Sequence, residues 1–317
     1  MKILVTGGAG YIGSVMARYF LDQGDTVTVL DNLSRGYLDA VPQGAIFVQG
    51  EISDLPKYFT ETNQFDAVVH MAAHSRVEES VSNPELYWHN NVIGTIKLLD
   101  GMRKLEIPKL VFASTAAVYG RAGQSPITED TPPNPLNTYG MTKLTMDMAI
   151  ASEAQAHGLN AASLRFFNVT GAYRGAGERH NPETHLIPTA LKSIVEGRVI
   201  KIFGSDYPTP DGTCIRDYIH VVDLALAAKL ALEKMKSSNH NIFNLGNGDG
   251  FSNLEVIDAI KNVTGKTPKV EFAPRRQGDA PSLVASSKKI RQELGWVPTK
   301  PDLEEMILDL WNFENRH

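Results

Sequence analysis

Tyr139 and Lys143 stand four residues apart in a stretch that we predict to be a helix from about Thr138 to His157, with many small and methyl-bearing side chains that suit flat packing against other helices. Residues at i and i+4 share a helix face, so an ammonium group would lie beside a phenol. A tyrosine has an ordinary pKa of about 10, but a nearby positive charge stabilises the phenolate and lowers that pKa. Among the ten tyrosines, Tyr139 alone has a lysine at this spacing. The pair predicts a tyrosine general base activated by a lysine.

A glycine-rich turn near the start of the chain indicates what such a base works beside. Ile3–Val5 predict a buried strand, and apolar residues at helical spacing over Ile12–Phe20 predict the helix that follows the turn. Gly7 permits a tight turn, Gly10 leaves room for a pyrophosphate, and Gly13 lets helix and strand pack closely. The unpaired N–H groups at the helix N-terminus would bind the phosphates of a dinucleotide.

Asp31 follows the second predicted strand, Thr26–Leu30, and indicates which dinucleotide binds. An acid here can bind the adenosine ribose hydroxyls and would repel a 2′-phosphate, which favours NAD over NADP. With NAD⁺ as hydride acceptor, Lys143 can also bind the nicotinamide ribose. Thr115, at the tip of the fifth predicted strand, can hydrogen-bond the same substrate hydroxyl as Tyr139 and relay its proton. The sequence therefore predicts base, activator and relay beside a hydride acceptor.

Strands alternate with helices through the first half of the chain. The predicted strands are Ile3–Val5, Thr26–Leu30, Ala45–Gln49, Asp66–Ala73, Leu110–Ala113 and Ala161–Phe167. A long helix is predicted from Pro84 to about Leu105, between the fourth and fifth strands. We therefore predict an α/β fold, a Rossmann-like doubly wound parallel sheet over residues 1–170 to which some later segments return. Residues 171–317, with shorter and mixed elements, predict a smaller mixed α/β substrate-binding domain at the C-terminal side.

Composition narrows the class of protein. The chain has 317 residues and a formal net charge of -5, so no basic surface argues for a nucleic-acid partner. Cys214 is the single cysteine, and glycines interrupt the apolar N-terminal stretch, so we expect a cytoplasmic protein without a signal peptide. No apolar run reaches membrane-spanning length. His70 and His74 fall at a strand end and in a loop, so we expect no metal there.

Several motifs resemble known proteins over nearly the whole chain. The stretches that resemble the extended short-chain dehydrogenase/reductases are Thr6–Gly13, Asp31–Leu33, Asn90–Thr95 and Tyr139-Gly140-x-x-Lys143. The more specific stretches that resemble the UDP-glucose 4-epimerase family are Arg165–Gly171, Ile202–Val221 and Ala273–Asp279, the last including Gly278.

The resemblance implies a 4-epimerase that holds NAD tightly and interconverts UDP-glucose and UDP-galactose. Tyr139 would take the proton from the sugar O4, the C4 hydride would go to NAD⁺, and the flat 4-keto sugar would turn over before the hydride returns. Arg216 and Arg276 could neutralise the pyrophosphate of UDP, since arginine suits such groups.

The residues implied to act fall into three overlapping sets. The catalytic residues are Thr115, Tyr139 and Lys143. The cofactor-binding residues are Gly7, Gly10, Tyr11, Ile12, Gly13, Asp31, Asn32, Ser34, Gly36, Glu51, Ile52, Met71, Ala72, Ala73, Ser75, Asn91, Tyr139, Lys143 and Phe167. The substrate-binding residues are Thr115, Tyr139, Asn168, His185, Leu186, Lys201, Ile202, Phe203, Arg216, Tyr218, Arg276, Asp279 and Leu283.

A few positions depart from the family pattern. Thr115 replaces a common serine and keeps the hydroxyl. Glu51 stands where an aspartate commonly meets adenine. Ser75 stands where some relatives have a cofactor-contacting lysine, and Arg76 is a candidate substitute. Leu283 is intermediate between the bulky residues that tend to exclude N-acetyl sugars from the family's pocket and the small ones that tend to admit them.

Other functions stay open beside this one. A nucleotide-sugar 4,6-dehydratase needs acids directly after the relay threonine, where this chain has Ala116 and Ala117. A 4-epimerase of UDP-N-acetylhexosamine or of a UDP-uronic acid is an alternative, and so is a non-catalytic NAD-binding regulator. The resemblance also implies a homodimer, built on the helices over Pro84–Leu105 and Thr138–His157.

Overall fold

The strands and helices were read from a computed structural model, which describes residues 1–122, 125–235, 239–276 and 279–315. Gly278 of the last family motif lies outside the described residues. The strands are β1 Lys2–Thr6, β2 Thr26–Asp31, β3 Ile46–Gln49, β4 Ala67–His70, β5 Lys109–Thr115, β6 Asn160–Phe166, β7 Asn168–Thr170, β8 Val199–Phe203, β9 Ile215–His220, β10 His240–Leu245, β11 Gly250–Ser252, β12 Lys269–Ala273 and β13 Ser282–Leu283. The helices are α1 Tyr11–Asp22, α2 Leu55–Tyr58, α3 Val77–Ser82, α4 Pro84–Tyr87, α5 Gly94–Lys104, α6 Thr138–His157, α7 Leu186–Glu196, α8 Val221–Lys234, α9 Asn253–Thr264, α10 Lys288–Leu294 and α11 Leu303–Glu314.

Seven parallel strands form the central sheet, in the order β10-β6-β5-β4-β1-β2-β3. β1 lies between β2 and β4, so Val5 pairs with Val29 on one side and with Val69 on the other. These strands are buried on both faces, which explains their continuous apolar runs. The strand order reverses beside β1, and ligands of such sheets bind at the carboxyl ends of the strands at this point. The prediction of a Rossmann-like doubly wound sheet is confirmed.

Helices cover both faces of the sheet. α1 and α8 pack on one face, where Met16 and Phe20 share a core with Leu224 and Trp296. α5 and α6 pack on the other face, and their buried residues form a second core with β4 and β5. β10, from residues 240–245, joins the main sheet, so a segment of the C-terminal half returns to it. The predicted domain boundary at residue 170 stays a prediction. No helix within the described ranges is long and apolar enough to span a membrane.

The long helix predicted from Pro84 to Leu105 contains an irregular segment. α4 and α5 are joined by a π-helical segment, Trp88–Ile93. A π turn inserts an extra residue into the helical repeat and changes which side chains face inward. Asn91 lies in this segment and is buried. No local pattern in the sequence indicates this segment.

The C-terminal half adds a smaller group of elements. β9 pairs with β7, β11 and β13, and β8 pairs in parallel with β12. α7, α9 and α11 pack on one another around a separate apolar core. The sixth strand, predicted to end at Phe167, ends at Phe166, and β7 then leaves the main sheet to join β9.

Candidate active site

Of the motif glycines Gly7, Gly10 and Gly13, the first and the third leave no room for a side chain. Gly7 has a φ of +71°, and a Cβ there would lie 2.5 Å from the backbone nitrogen of Ala72. A Cβ on Gly13 would lie 2.1 Å from the carbonyl oxygen of Gly7. At Gly10 the nearest atom would be 3.4 Å away, so the missing side chain leaves room on the side of the cleft. Within the described residues no side chain caps α1, so its first N–H groups stay available to a phosphate.

Asp31 ties this turn to the end of β2. Its buried carboxylate accepts hydrogen bonds from the backbone N–H groups of Ala9, at 3.0 Å, and Leu33, at 2.8 Å. The carboxylate also lines the cleft. A carboxylate held in this position beside the glycine turn fits a ribose diol and opposes a 2′-phosphate.

A cleft along the carboxyl edge of the sheet brings together most of the predicted cofactor residues. The predicted residues that line it are Gly7, Gly10, Tyr11, Ile12, Gly13, Asp31, Asn32, Ser34, Gly36, Glu51, Ile52, Met71, Ala72, Ala73, Ser75, Tyr139 and Lys143. Arg76, the candidate substitute at the Ser75 position, also lines it. The lining residues that sequence reasoning missed are Leu30, Arg35, Gly50, His74, Asn90, Ala113, Phe166 and His180. Most of these residues are sequence neighbours of predicted cofactor residues at the strand tips, so the sequence could have indicated them.

Two predicted cofactor residues have other surroundings. The Asn91 amide accepts a hydrogen bond from the backbone N–H of His74 and donates to the His74 carbonyl, both at 2.9 Å. Asn91 therefore fixes the loop after β4, and its neighbour Asn90 lines the cleft instead. Phe167, which follows β6, packs with Tyr119 and the apolar residues around it, while Phe166 at the end of β6 lines the cleft.

The predicted base and its activator line this same cleft. Asn137 caps α6 by accepting a hydrogen bond from the N–H of Gly140 at 2.9 Å, which fixes the start of the helix at Thr138, one residue before Tyr139. Burial raises the pKa of Tyr139, and a hydrogen bond with the Thr115 side chain opposes that rise. The two side chains are therefore neighbours, as their predicted roles require.

Lys143 is buried one turn along the same face of α6. Its ammonium donates a hydrogen bond to the carbonyl of Ala113 at 2.7 Å, at the end of β5. Burial lowers the pKa of Lys143 to about 7, and the charge of Asp147 opposes that fall. The lysine is thus poised to change charge near neutral pH.

Asp147 belongs to a buried polar network that sequence reasoning did not find. Its carboxylate lies 2.9 Å from the guanidinium of Arg165 and accepts a hydrogen bond from Ser114 at 3.1 Å. Asp147 and Arg165 are both almost fully buried, so the pair balances its own charge. An acid at i+4 from Lys143 was a visible signal for it.

His70 is a structural histidine. Its two ring nitrogens contact the hydroxyls of Thr6, at 2.6 Å, and Thr95, at 2.9 Å. Burial, with a contribution from Lys143, lowers the pKa of His70 to about 3, so the ring is neutral.

Glu178, Glu183 and His185 place ligand atoms within 4.8 Å of one another. Glu183 already contacts His185 at 2.7 Å, and the prediction that no metal is needed stays a prediction.

Strand pairing brings several predicted substrate residues together. Tyr218 on β9 pairs with Asn168 on β7, and Arg216 pairs with Leu283 on β13. The Arg216 guanidinium lies 3.3 Å from the carboxylate of Asp279. The predicted substrate residues on β8 do not all lie on one side of that strand.

On β8, the exposed Lys201 and the buried Ile202 point to opposite sides, and Ile202 joins the apolar core of the smaller group. The Arg276 guanidinium stacks 4.0 Å from the ring centre of Phe203. His185 and Leu186 stand at the start of α7, whose N-cap is His185. These substrate positions stay predictions.

The parallel sheet, its reversal point, the closed glycine turn and the acid at the tip of β2 define a dinucleotide-binding protein of the Rossmann class. Residues 3–246 match the model of the NAD dependent epimerase/dehydratase family. The chain belongs to this family, and NAD is its cofactor. The open side of Gly10, the uncapped start of α1 and the carboxylate of Asp31 all fit that cofactor.

Relatives in this family are similar to the chain over its whole length. The UDP-glucose 4-epimerase of Corynebacterium glutamicum is 51% identical over 99% of this chain and 95% of its own length. The solved structure of a UDP-glucose 4-epimerase from Bifidobacterium longum, in complex with NAD⁺ and UDP, has a TM-score of 0.93 at 32% identity and covers 100% and 99% of the two chains. The UDP-Glc/GlcNAc 4-epimerase from Campylobacter jejuni has a TM-score of 0.87 at 40% identity and covers 100% and 99%.

Proposed function

We propose that this protein is an NAD-dependent epimerase that interconverts UDP-glucose and UDP-galactose by inverting C4 of the sugar. The observation that carries the proposal is a cleft in which Tyr139, with the Thr115 side chain beside it, lies together with Lys143 and the glycine turn. The relatives that match the chain over its full length bear the same activity in their names.

The bound cofactor supplies a hydride acceptor that takes hydrogen from C4 and later returns it. Tyr139, as phenolate, takes the proton from the sugar O4 and gives it back when the 4-keto sugar is reduced. Lys143, as ammonium, stabilises that phenolate and binds the nicotinamide ribose. Thr115 bonds the O4 hydroxyl and holds it against the Tyr139 oxygen, so the proton has a short path.

The enzyme binds the substrate through its UDP group, which leaves the sugar free to turn over. Arg216 and Arg276 bind the pyrophosphate, since guanidinium groups match phosphate oxygens. Asp279 orients Arg216 through their ion pair. The nucleotide lies against the smaller group of elements that includes β8 and β9, which we assign to a substrate-binding domain over residues 171–317.

The structure argues against the dehydratase alternative. The residues after Thr115 are Ala116 and Ala117, in a short 3₁₀ turn, and the N–H of Ala117 donates to the Thr115 hydroxyl at 3.1 Å. Neither alanine can protonate a departing hydroxyl. Leu283 is intermediate in size between the bulky and the small residues of the family, and activity on UDP-N-acetylglucosamine is a second candidate, which the similarity to the Campylobacter jejuni enzyme favours.

The protein acts as a homodimer in the cytoplasm. α5 and α6 carry exposed apolar side chains, among them Ile96, Met141 and Met148, which a second copy would cover. The single cysteine, Cys214, is a buried free thiol, in keeping with a reducing compartment.

The test is to mix the purified protein with UDP-galactose, without added cofactor, and to follow the products by proton NMR. UDP-glucose rising to an equilibrium mixture supports epimerisation by bound NAD. A parallel reaction with UDP-N-acetylgalactosamine tests the Leu283 pocket. If nothing converts even after NAD⁺ is added, the proposed reaction is wrong.

A further inference from the structure

Two arginines from different loops meet at one glutamate on the rim of the cofactor cleft. Arg35, in the loop after β2, donates from Nη2 to both carboxylate oxygens of Glu79 at 2.8 Å. Arg76, in the loop after β4, donates from Nη2 to Glu79 Oε1 at 2.6 Å. Because β2 and β4 lie on opposite sides of β1, Glu79 connects the two loops that flank the cleft.

A buried tyrosine anchors this cluster to the helix behind it. The Tyr87 hydroxyl lies 2.8 Å from Glu79 Oε2 and 2.6 Å from the carbonyl of Arg76. Tyr87 itself is fully buried in α4. Although burial opposes ionisation, the hydrogen bonds from Arg35 and Tyr87 keep the pKa of Glu79 below its ordinary value. The glutamate is therefore an ionised group in a fixed position.

The cluster also leaves positive charge at the wall of the cleft. Arg35 and Arg76 both line the cleft, and their two charges face the single carboxylate of Glu79. The Nε of Arg76 is buried and lacks a hydrogen-bond partner in the described part of the chain. Two guanidinium groups that share one carboxylate at the wall of a cleft suit an anionic ligand such as a dinucleotide.

We propose that Glu79 is a positioning residue that latches the Arg35 and Arg76 loops over bound NAD and so slows its release. The inference rests on the proposed cofactor site and is independent of which sugar the enzyme takes. The dinucleotide leaves the cleft only when one loop swings away, and this requires the Arg35–Glu79 bonds to break. Replacing Glu79 by glutamine removes the charge that holds both guanidinium groups and keeps the shape of the side chain.

The test measures NAD release from the holoenzyme. The protein is loaded with radiolabelled NAD⁺, freed of excess label by gel filtration, and chased with unlabelled NAD⁺ while retained label is counted. Glu79→Gln and Arg35→Gln are each expected to release NAD about tenfold faster or more, since each breaks charge-assisted hydrogen bonds. The double variant is expected to match the faster single variant, because both changes open the same latch.

The matched control is Glu78→Gln on the same helix, whose side chain is exposed and whose ion pair, with Arg276, is 3.7 Å long. It is expected to release NAD at the wild-type rate. Unchanged or slower release from Glu79→Gln overturns the latch, whatever Arg35→Gln does, and so does a double variant whose effect is the product of the two. If Glu79→Gln fails to fold, Arg35→Gln decides alone, since its side chain is partly exposed. A wild-type protein that holds no NAD would instead contradict the proposed function.

Discussion

At the scale of single residues, the chemistry depends on how burial sets the charge of Tyr139 and Lys143. Burial raises the pKa of the tyrosine and lowers that of the lysine to about 7, so both are pushed toward their neutral forms before the substrate binds. The positive charge that NAD⁺ brings to the cleft then favours the phenolate. The neighbouring Thr115 side chain also lowers the pKa of the phenol.

Replacing Tyr139 by phenylalanine removes the base and leaves the cofactor cleft intact. We expect Tyr139→Phe to copurify with NAD and to lose about 10²- to 10⁴-fold in turnover, the usual contribution of a general base. The measurement is kcat with UDP-galactose beside the NAD content of the protein. Tyr173→Phe is the control, since that hydroxyl bonds Asp22 on the surface. A Tyr139→Phe enzyme with near wild-type turnover would assign the base elsewhere.

Lys143 should give the protein without cofactor a pH-dependent stability. Its pKa is about 7 in the folded chain and about 10.4 when unfolded, so between these values the folded chain binds fewer protons. The contribution of Lys143 to stability therefore rises with pH across this window and is least favourable below pH 7. We expect Lys143→Met to gain most over wild type near pH 6 and less near pH 9, in urea unfolding.

The exposed Lys261 on α9 provides a control, because Lys261→Met removes a lysine from the surface. Its difference from wild type should change little with pH. A Lys143→Met difference that grows from about pH 6 to about pH 9 would have the wrong sign for a buried lysine.

At the scale of elements, the turn between β1 and α1 separates folding from binding. Gly13 touches the backbone of the turn, and Gly10 faces open space, although both belong to one motif. Gly13 is therefore required by the packing of helix against strand, and Gly10 is required by the approach of a pyrophosphate.

The two glycines should respond differently to alanine. Gly13→Ala puts a Cβ 2.1 Å from a carbonyl oxygen and should lower the free energy of unfolding by about 1–3 kcal/mol. Gly10→Ala should change it by less than about 0.5 kcal/mol, since its Cβ meets nothing nearer than 3.4 Å, yet abolish copurification of NAD. Unfolding and bound NAD are measured on the same preparations. Normal NAD content in Gly10→Ala would mean that the pyrophosphate of NAD does not approach the backbone at this position.

Elements with local signals could be predicted from the sequence, and those without could not. α6 has its predicted bounds because Asn137 caps its start and Gly158, with a φ of +73°, ends it. The transfer of β7 to a second sheet depends on pairing with β9, whose residues lie 50 positions away. Glu79 likewise joins Arg35 across 44 positions, a contact without a local pattern. The motif residues of the cleft were predictable because strand tips meet at one edge of a parallel sheet.

At the scale of the whole molecule, the proposed dimer explains an apolar face that one chain leaves exposed. Ile93 and Ile96 on one helical run and Met141 and Met148 on α6 are all partly solvent-exposed, and Met148 is 66% exposed. Side chains of this kind on neighbouring helices suit a bundle formed with a second copy.

A charge on this face should separate the subunits without unfolding them. We expect Met148→Glu to shift the protein from dimer to monomer, because a buried unpaired carboxylate at the interface is costly. Light scattering after size-exclusion chromatography measures the mass. Val297→Glu, at an exposed valine outside α5 and α6, should stay dimeric. A wild-type monomer would contradict the proposed assembly.

The most direct test of the account is to follow the hydrogen at C4. UDP-galactose labelled with deuterium at C4 is converted by the purified protein in ordinary water, and the product is examined by NMR and mass spectrometry. Our account predicts UDP-glucose that keeps its deuterium at C4, because the same hydride leaves and returns within one site. Loss of deuterium to the solvent would mean that C4 exchanges a proton and would contradict the role given to NAD.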